Sequence, residues 1–358
     1  MNRASMMGLV IAVLLVGACA PQPPPASAPA STYTPYPTYT PPPTATATVQ
    51  PTYTLYPTYT LYPAATNAPL TSVPSSTAAA QPPTTAPQVK LPPKGTLAYT
   101  VNRATREYDL YLIGLDGSNN RLLASKAGFP AFTSDGKEVL FYTWEGGGVD
   151  IMGIDGSNRR RLIGDNEAGY AHVGNDGYTL LFRSGNINWS RWQFDLKIYT
   201  MGLDGQGRRM ITEGDQPDWN PTAMQFACRS CDGNNCGIFV INADGSGRKM
   251  ISTEPNDQNP DWSPDGRKLA FTSQRDGNWE IYVMGSDGGN PRRLTDHPAT
   301  DAVPVWLPGG EHIAFRSDRG GTWAIYWMRS DGSQVTKIVD AQADPVRWPW
   351  ERLAVTGP

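Results

Sequence analysis

Three cysteines close together in the chain are the residues whose spacing first suggests chemistry. They are Cys228, Cys231 and Cys236, and Asp-Gly-Asn-Asn separates the last two. A zinc site would require a fourth ligand, and no other Cys or His lies nearby in the sequence. The Asp-Gly pair predicts a hairpin, whose facing positions come close enough for a disulfide. We therefore predict a disulfide with Cys236 as the common partner and Cys228 or Cys231 opposite, which leaves one thiol over.

A catalytic constellation is not apparent in this sequence. The three histidines are His172, His297 and His312, and none has an evident nucleophile beside it. The nucleophile pattern Gly-x-Ser-x-Gly does not occur. Hairpin turns account for the many Asp-Gly pairs, and the loops lack the dense oxygen ligands that calcium takes. We predict no catalytic residue, no metal and no cofactor.

The amino terminus has the composition of an export signal. Arg3 precedes an apolar run over 6–17 that is too short for a stable transmembrane helix. The run ends in Leu15-Val-Gly-Ala-Cys19, which resembles a bacterial lipobox. That resemblance implies a signal peptide over 1–18 and a mature chain held at Cys19 by two or three acyl chains, which are enough for lasting attachment. The alternative is an ordinary secretory signal followed by an incidental cysteine.

A proline-rich segment follows the signal. Residues 20–89 contain no Asp, Glu, Lys or Arg and consist mainly of Pro, Thr, Ala, Ser and Tyr. Proline lacks an N–H and has a fixed φ, so it blocks helices and central strands. We predict a disordered, extended stalk over 19–93 that lifts the next domain off a membrane. Ser and Thr beside Pro also resemble O-glycosylated stalks.

The rest of the chain repeats one unit of strands and turns. Six Asp-Gly pairs, each preceded by an aliphatic or aromatic run, recur at intervals of 39 to 49 residues. Their aspartates are Asp116, Asp155, Asp204, Asp244, Asp287 and Asp331. Segments between the turns are β-branched and aromatic and alternate as half-buried strands do. Four such strands in about 40–45 residues are typical of a propeller blade.

We predict an all-β fold over 94–358, a six-bladed β-propeller of four-stranded antiparallel blades. The first blade lacks an innermost strand, and Pro345-Val-Arg-Trp348 has the features of one. Pairing of the N- and C-terminal strands is therefore expected to close the ring and remove a free sheet edge. Arg352-Leu-Ala-Val355 also looks like a strand, so either the tail adds an outer strand or the count is nearer seven.

One pattern in these repeats is specific. Residues 260–295 contain Pro-Asp-Trp-Ser-Pro-Asp-Gly, then Leu-Ala-Phe, Ile-Tyr-Val-Met, Asp-Gly and Arg-Arg-Leu-Thr. This pattern resembles the TolB-type β-propeller repeat, a relative of WD-type repeats, over about 95–358 and most strongly over 217–335. The resemblance implies the fold but no single function, because such propellers serve as scaffolds, peptidase gates and lyases. TolB has an α/β domain where this chain has an anchor and a stalk, so its partners are not carried over.

Tryptophans supply the candidate binding residues. Four lie in or beside the turns between second and third strands: Trp189, Trp192, Trp279 and Trp323. The first two belong to an insertion in the third blade, and such insertions tend to lie on a functional face. Packing over a neighbouring blade is the alternative. Another four recur at one blade position and are expected to pack between blades: Trp219, Trp262, Trp306 and Trp348.

The net charge and the repeats together limit the classes of function that are compatible with this sequence. The formal net charge of −3 gives no basic balance for nucleic acid. We favour a monomeric, non-enzymatic surface lipoprotein of the cell envelope whose propeller binds a protein or peptide partner and meets the membrane only through its lipid anchor. Two alternatives are a module that binds carbohydrate or cell wall, and a propeller-type hydrolase or lyase.

Overall fold

Asp-Gly turns shape every blade. The Oδ1 atom of Asp116 accepts hydrogen bonds from the amide and the hydroxyl of Ser118, at 2.9 and 2.6 Å. Gly117 has a φ of 85°, which a residue without a Cβ adopts freely. The same two bonds recur at Asp155, Asp244 and Asp331. The predicted hairpin turns are confirmed, and the turn itself uses the aspartate oxygen.

The structure is a computed structural model. It describes residues 93–103, 107–166, 168–188, 193–343, 348 and 351–357, with backbone alone at 187, 188, 193 and 194. The predicted signal peptide, Cys19 and nearly all of the predicted stalk lie outside the described residues. Among the residues described, no helix is long and apolar enough to cross a membrane.

The described strands, in chain order, are β1 (Thr96–Asn102), β2 (Tyr108–Gly114), β3 (Arg121–Ala124), β4 (Ala127–Phe132), β5 (Glu138–Thr143), β6 (Val149–Gly153), β7 (Arg160–Ile163), β8 (Gly169–Val173), β9 (Thr179–Asn188), β10 (Gln193–Gly202), β11 (Arg209–Glu213), β12 (Asp215–Trp219), β13 (Gln225–Asp232), β14 (Asn235–Asn242), β15 (Lys249–Met250), β16 (Gln258–Trp262), β17 (Lys268–Ser273), β18 (Glu280–Gly285), β19 (Arg292–Arg293), β20 (Asp301–Trp306), β21 (His312–Ser317), β22 (Ala324–Arg329), β23 (Thr336–Asp340) and β24 (Ala354–Thr356).

These strands form six four-stranded antiparallel sheets, the blades. Blade 1 has the order β24-β1-β2-β3, and blades 2 to 6 take four consecutive strands each, from β4 to β23. The predicted fold class and the count of six blades are therefore confirmed. We call the side where second and third strands are joined the hairpin face, and the opposite side the turn face.

The core lies between blades rather than inside one. Six buried clusters each join two neighbouring sheets, for example Leu181 and Ile198 of blade 3 with Trp219 and Phe226 of blade 4. One of the six joins blade 6 to blade 1. Because a single blade exposes two apolar faces, each sheet depends on both neighbours for burial.

The ring closes at a different segment from the one we predicted. The innermost strand of blade 1 is β24, with Ala354, Val355 and Thr356 opposite Ala98, Leu97 and Thr96. We predicted Pro345–Trp348 for this role. Residues 345–347 lie outside the described ones, and Trp348 is buried against aromatic rings rather than on an innermost strand. Closure by both chain ends is confirmed.

The insertion of blade 3 is largely strand. The sequence predicts a turn for the insertion that contains Trp189 and Trp192. In the structure β9 and β10 are ten residues each, and their pairing extends to Asn188 opposite Gln193. The insertion therefore lengthens the hairpin of this blade beyond those of its neighbours.

Candidate ligand-binding channel

The cysteines divide into a bonded pair and a buried thiol. Cys231 and Cys236 are directly opposite each other on β13 and β14 and form a disulfide. Cys228 is opposite Phe239 instead, and its side chain is fully buried between blades 3 and 4. Burial raises the pKa of the Cys228 thiol. Strand register thus decides between the two pairings that the spacing left open.

Two of the candidate tryptophans, Trp279 and Trp323, pack against Trp348 in the carboxy-terminal segment. The Trp348 ring meets that of Trp279 edge-on at 5.1 Å between centroids, and that of Trp323 at 6.3 Å. Trp323 and Trp348 are buried and Trp279 is partly buried. Trp323 is therefore in a packing position, which was the alternative to a binding role. Trp189 and Trp192 lie outside the described residues.

A repeated β-bulge faces the central channel. In five innermost strands the ladder shifts register at one residue whose φ lies between 51° and 54°. These residues are Phe129, Tyr170, Gln216, Asn259 and Val303. A positive φ is costly for a residue with a Cβ, most of all for β-branched Val303. Residues with a strained backbone are often found at binding sites, so these bulges make the channel a candidate binding site.

Deeper in the channel, an ionic cluster joins blades 3 and 4 to the carboxy-terminal segment. The Nη2 of Arg352 donates to Oδ1 of Asp218 at 2.6 Å and lies 3.2 Å from Nδ1 of His172. His172 Nδ1 is itself 3.2 Å from Asp218 Oδ1. Burial alone would raise the pKa of Asp218, but the hydrogen bond with His172 and the charge of Arg352 bring it below its usual value. Asp218 is therefore held as a carboxylate.

The neighbouring blade carries a second aspartate, whose pKa is shifted in the opposite direction. Asp261 lines the channel, and its Oδ2 accepts a hydrogen bond from the amide of Trp306 at 2.7 Å. Burial, together with the negative charge of Asp218, raises the pKa of Asp261 well above its usual value. In the same way Asp218 Oδ2 accepts from the amide of Trp262 at 3.1 Å. Each aspartate thus bonds the backbone of the following blade.

The carboxy-terminal segment that supplies Arg352 is itself anchored by a buried ion pair. Glu351 lies 2.8 Å from the Nη2 of Arg316, and both side chains are almost completely buried. Arg316 also donates to the carbonyl of Thr100 at 2.7 Å and to that of Ala341 at 3.2 Å. This arginine therefore joins blades 1 and 6 to the last segment of the chain.

Cavities lie on both sides of this segment. On the hairpin face, an upper mouth of about 460 Å³ is lined by Asp195, Glu213, Asp215, Arg229, Asn256 and Trp279, among others. Between this mouth and Arg352 is a chamber of about 20 Å³ beside the bulge residues. On the turn face, a lower mouth of about 380 Å³ extends inward to His172, Asp218, Asp261 and Arg352. Both mouths are within the size range of ligand pockets.

Sequence reasoning missed the charged residues of the channel. Asp218 and Asp261 occupy the same place in two copies of Pro-Asp-Trp, at 217–219 and 260–262. A carboxylate inside an otherwise buried innermost strand is unusual, and this repetition was the available signal. Arg352 gave no such signal, because its partner is 134 residues away in the chain. Among the described residues, no three His, Cys, Asp or Glu side chains are grouped to hold a metal ion.

The architecture defines the class of protein as a six-bladed β-propeller with its channel occupied by its own carboxy-terminal segment. Residues 188–347 match the family model of the TolB beta propeller domain. Over these residues the propeller is therefore similar to the TolB beta propeller domain. No match to the sequence was found among curated proteins.

Solved structures with this fold include two TolB proteins. TolB from Acinetobacter baumannii has a TM-score of 0.62 and 19% identity, covering 74% of this chain and 67% of its own. A putative TolB from Agrobacterium tumefaciens has a TM-score of 0.53 and 19% identity, covering 70% and 91%. Hydrazine synthase from Kuenenia stuttgartiensis is also similar, with a TM-score of 0.58 and 16% identity, covering 74% and 47%. At these identities the similarity shows the fold alone.

Proposed function

We propose that this propeller is a non-enzymatic scaffold of the cell envelope that binds a protein or peptide partner at a mouth of its channel. The carrying observation is that the chain's own residues 351–353 occupy the channel while a cavity is open on each face. A ligand that enters the lower mouth ends against Arg352 and Leu353 of this segment. The molecule thus presents two shallow, ligand-sized recesses on a rigid ring.

The polar groups of the channel support binding rather than catalysis. Both oxygens of Asp218 accept hydrogen bonds, from Arg352 and from the Trp262 amide. A general base needs a carboxylate oxygen free to approach a substrate proton, and each oxygen of Asp218 already accepts a hydrogen bond that holds the ring together. Asp261 likewise bonds the next blade.

Binding of carbohydrate is less well supported by the positions of the tryptophans. A sugar-binding platform requires an exposed aromatic face, and Trp323 is buried against Trp348. Trp279 lines the upper mouth but also packs edge-on against Trp348.

We also propose that the protein is exported and held by lipid at Cys19. The lipobox-like residues at 15–19 support this, and the Cys231–Cys236 disulfide is the kind of bond that persists in an oxidising compartment. Palmitate should label the wild type and not Cys19→Ala. Label retained in the variant would contradict the anchor.

Site-specific photo-crosslinking tests the binding function. A photoreactive residue replaces Pro221 at the lower mouth, Asn256 at the upper mouth or, as a control, Val335 on the outside of blade 6. Irradiation of cells should yield a discrete crosslinked protein from at least one mouth position and none from Val335. Equal products at all three positions, or none at either mouth, would refute a mouth-bound partner.

A further inference from the structure

Six residues at equivalent positions of the six blades form a ring at the inner end of the lower mouth. In blades 2 to 6, each is the residue at which the innermost strand resumes its ladder after the bulge. In blade 1 it is the first residue of β24, opposite Ala98. All six line the cavity of about 380 Å³, and in blade order from 1 to 6 they are Ala354, Ala131, His172, Asp218, Asp261 and Val305. The polar members are therefore confined to blades 3, 4 and 5.

The two aspartates of this ring share one hydrogen bond and differ in the other. Oδ2 of Asp218 and Oδ2 of Asp261 each accept from a backbone amide of the following blade, at 3.1 and 2.7 Å. Oδ1 of Asp218 also accepts from the guanidinium of Arg352 at 2.6 Å. Within the described part of the chain, Oδ1 of Asp261 has no hydrogen-bond donor and forms no ion pair, and this residue is partly exposed. Because the two side chains share a strand position and a backbone bond, Oδ1 of Asp261 is placed to accept a cation from the channel, as Oδ1 of Asp218 does.

The charges of the lower mouth leave Asp261 without a counter-charge. Arg352 lies 2.6 Å and His172 3.2 Å from Oδ1 of Asp218, so the charge of that carboxylate is balanced. Burial and repulsion by Asp218 disfavour the ionised form of Asp261 and raise its pKa well above its usual value, although the Trp306 amide and Arg352 act in the other direction. A cation beside Oδ1 would offset both unfavourable effects. The mouth is thus suited to a positively charged group of a ligand.

The geometry favours a lysine ammonium over an arginine guanidinium. A guanidinium binds a carboxylate best through both oxygens, and Oδ2 of Asp261 is already held by the Trp306 amide. An ammonium is a compact point charge, for which one oxygen is sufficient. Its aliphatic stem packs on apolar surface, which Val305 of the ring and the prolines Pro264 and Pro308 supply in the same mouth. A metal ion is not favoured, because no three Asp, Glu, His or Cys side chains of the described residues are grouped to hold one.

We infer that the lower mouth binds a lysine side chain of the partner protein, whose ammonium group donates to Oδ1 of Asp261 and whose aliphatic stem lies against Val305 and the prolines of the mouth. This inference rests on the proposed function and specifies the group that the partner inserts. Arg352, which already pairs with Asp218, limits how deeply that group enters.

Saturation-transfer difference NMR, a method suited to weak ligands, tests the inference. The probe is the peptide Gly-Gly-Lys-Gly-Gly with both ends blocked, and two matching peptides contain Nε-acetyllysine or Arg in place of Lys. The wild type should bind the Lys peptide with the strongest saturation at its stem methylenes, the Arg peptide more weakly and the acetylated peptide not at all. Equal binding of the Lys and acetyllysine peptides, or binding of neither, would overturn the inference. An Arg peptide bound as tightly as the Lys peptide would overturn the preference for an ammonium.

Asp261→Asn removes the charge and keeps an oxygen that can accept from the Trp306 amide. It should weaken binding of the Lys peptide at least about 10-fold, the effect of one charge-assisted hydrogen bond. Tm should stay at or above that of the wild type, because a carboxylate beside Asp218 is removed. Asp296→Asn makes the same charge change in a side chain that is 89% exposed, and it should bind like the wild type. Wild-type affinity in Asp261→Asn, or equal weakening in both variants, would show that Asp261 is not the acceptor.

Photo-crosslinking at Pro221 separates this inference from the proposed function. The cellular partner that reacts at this position should react less when Asp261→Asn is also present. If the partner reacts equally with and without Asp261→Asn, or reacts only from the upper mouth, the lysine assignment is wrong and the scaffold function stands. If no partner reacts at either mouth, the proposed function fails and the inference fails with it.

Discussion

The pKa of a carboxylate in this protein depends on its burial and on the charged groups that the fold places beside it. Asp301 begins the innermost strand of blade 6 and is fully buried, with one oxygen 2.5 Å from the guanidinium of Arg319. Its other oxygen has no hydrogen-bond partner among the described residues. Burial raises the pKa of Asp301 to about 6 despite the neighbouring arginine. Loss of water outweighs the opposing effects of the Ser317 hydroxyl and the Arg319 ion pair on this pKa.

The pH dependence of stability should therefore change in Asp301→Asn. The folded-state pKa lies above the unfolded value of about 3.9, so the folded state binds the proton more tightly. This contribution is complete below about pH 4 and is lost as pH rises through about 6, for a total of roughly 3 kcal/mol. Urea titrations at pH 4 to 7 should show a smaller decline in the variant than in the wild type.

Asp296→Asn is the control for this measurement, since that side chain is 89% exposed. Its pH profile should follow the wild type. Parallel profiles for Asp301→Asn and the wild type would mean that Asp301 does not titrate in this range.

Basic side chains on three of the outermost strands link one blade to the next. Arg209 of β11 donates to the carbonyl of Asp244 in the next blade at 2.8 Å. Arg292 of β19 donates in the same way to that of Asp331 at 3.1 Å, and Lys249 of β15 lies 3.4 Å from that of Asp287. These contacts explain why a basic residue follows the Asp-Gly turns. Each is exposed and contributes little by itself.

The hairpin of blade 4 is stabilised covalently. Cys231 and Cys236 are five residues apart, and closing so short a loop lowers the entropy of the unfolded chain by an amount equivalent to about 2 kcal/mol. Cys231→Ser/Cys236→Ser should lose roughly that free energy of unfolding in a urea titration. Reductant should destabilise the wild type equally and leave the double variant unchanged.

Alkylation of the unfolded wild type without reductant should modify Cys228 among these three residues and neither of the others. Modification of all three, or a variant as stable as the wild type, would argue against the disulfide.

For the whole molecule, stability depends on ring closure. The closing strand β24 pairs through three residues with β1, while Glu351 and Arg352 bond to blades 6 and 4. Deleting residues 351–358 would free an edge of blade 1, remove the carboxylate partner of Arg316 and remove the guanidinium partner of Asp218. We expect a large drop in Tm, measured by circular dichroism. Removing only 357–358, which lie beyond β24, should have little effect.

A point substitution tests ring closure without shortening the chain. Glu351→Ala leaves the buried Arg316 without its carboxylate and should cost about 3–5 kcal/mol of unfolding free energy. The double variant Glu351→Leu/Arg316→Met removes both charges and should lose less. A truncated chain that melts like the wild type would show that the ring does not depend on this segment. A double variant less stable than Glu351→Ala would show that the bonds from Arg316 to Thr100 and Ala341 matter more than the unpaired charge.

The sequence alone determined the local features of this protein. The Asp-Gly turns, the alternating strands and the repeat predicted six blades, because turn geometry and period-two burial depend on neighbouring residues. Local pattern could also place the three cysteines on one hairpin. It narrowed the pairing to two choices, since a disulfide requires facing positions that only strand register specifies.

Only the tertiary structure decided which segment closes the ring and which groups meet in the channel. Two stretches near the end of the chain looked like strands, and the selection depends on partners far away in sequence, such as Arg316 for Glu351 and Asp218 for Arg352. For the same reason Trp323 is buried while its turn position suggested exposure. Burial and charge pairing arise from contacts between distant blades, and a sequence pattern with a period of one blade does not specify which residues meet.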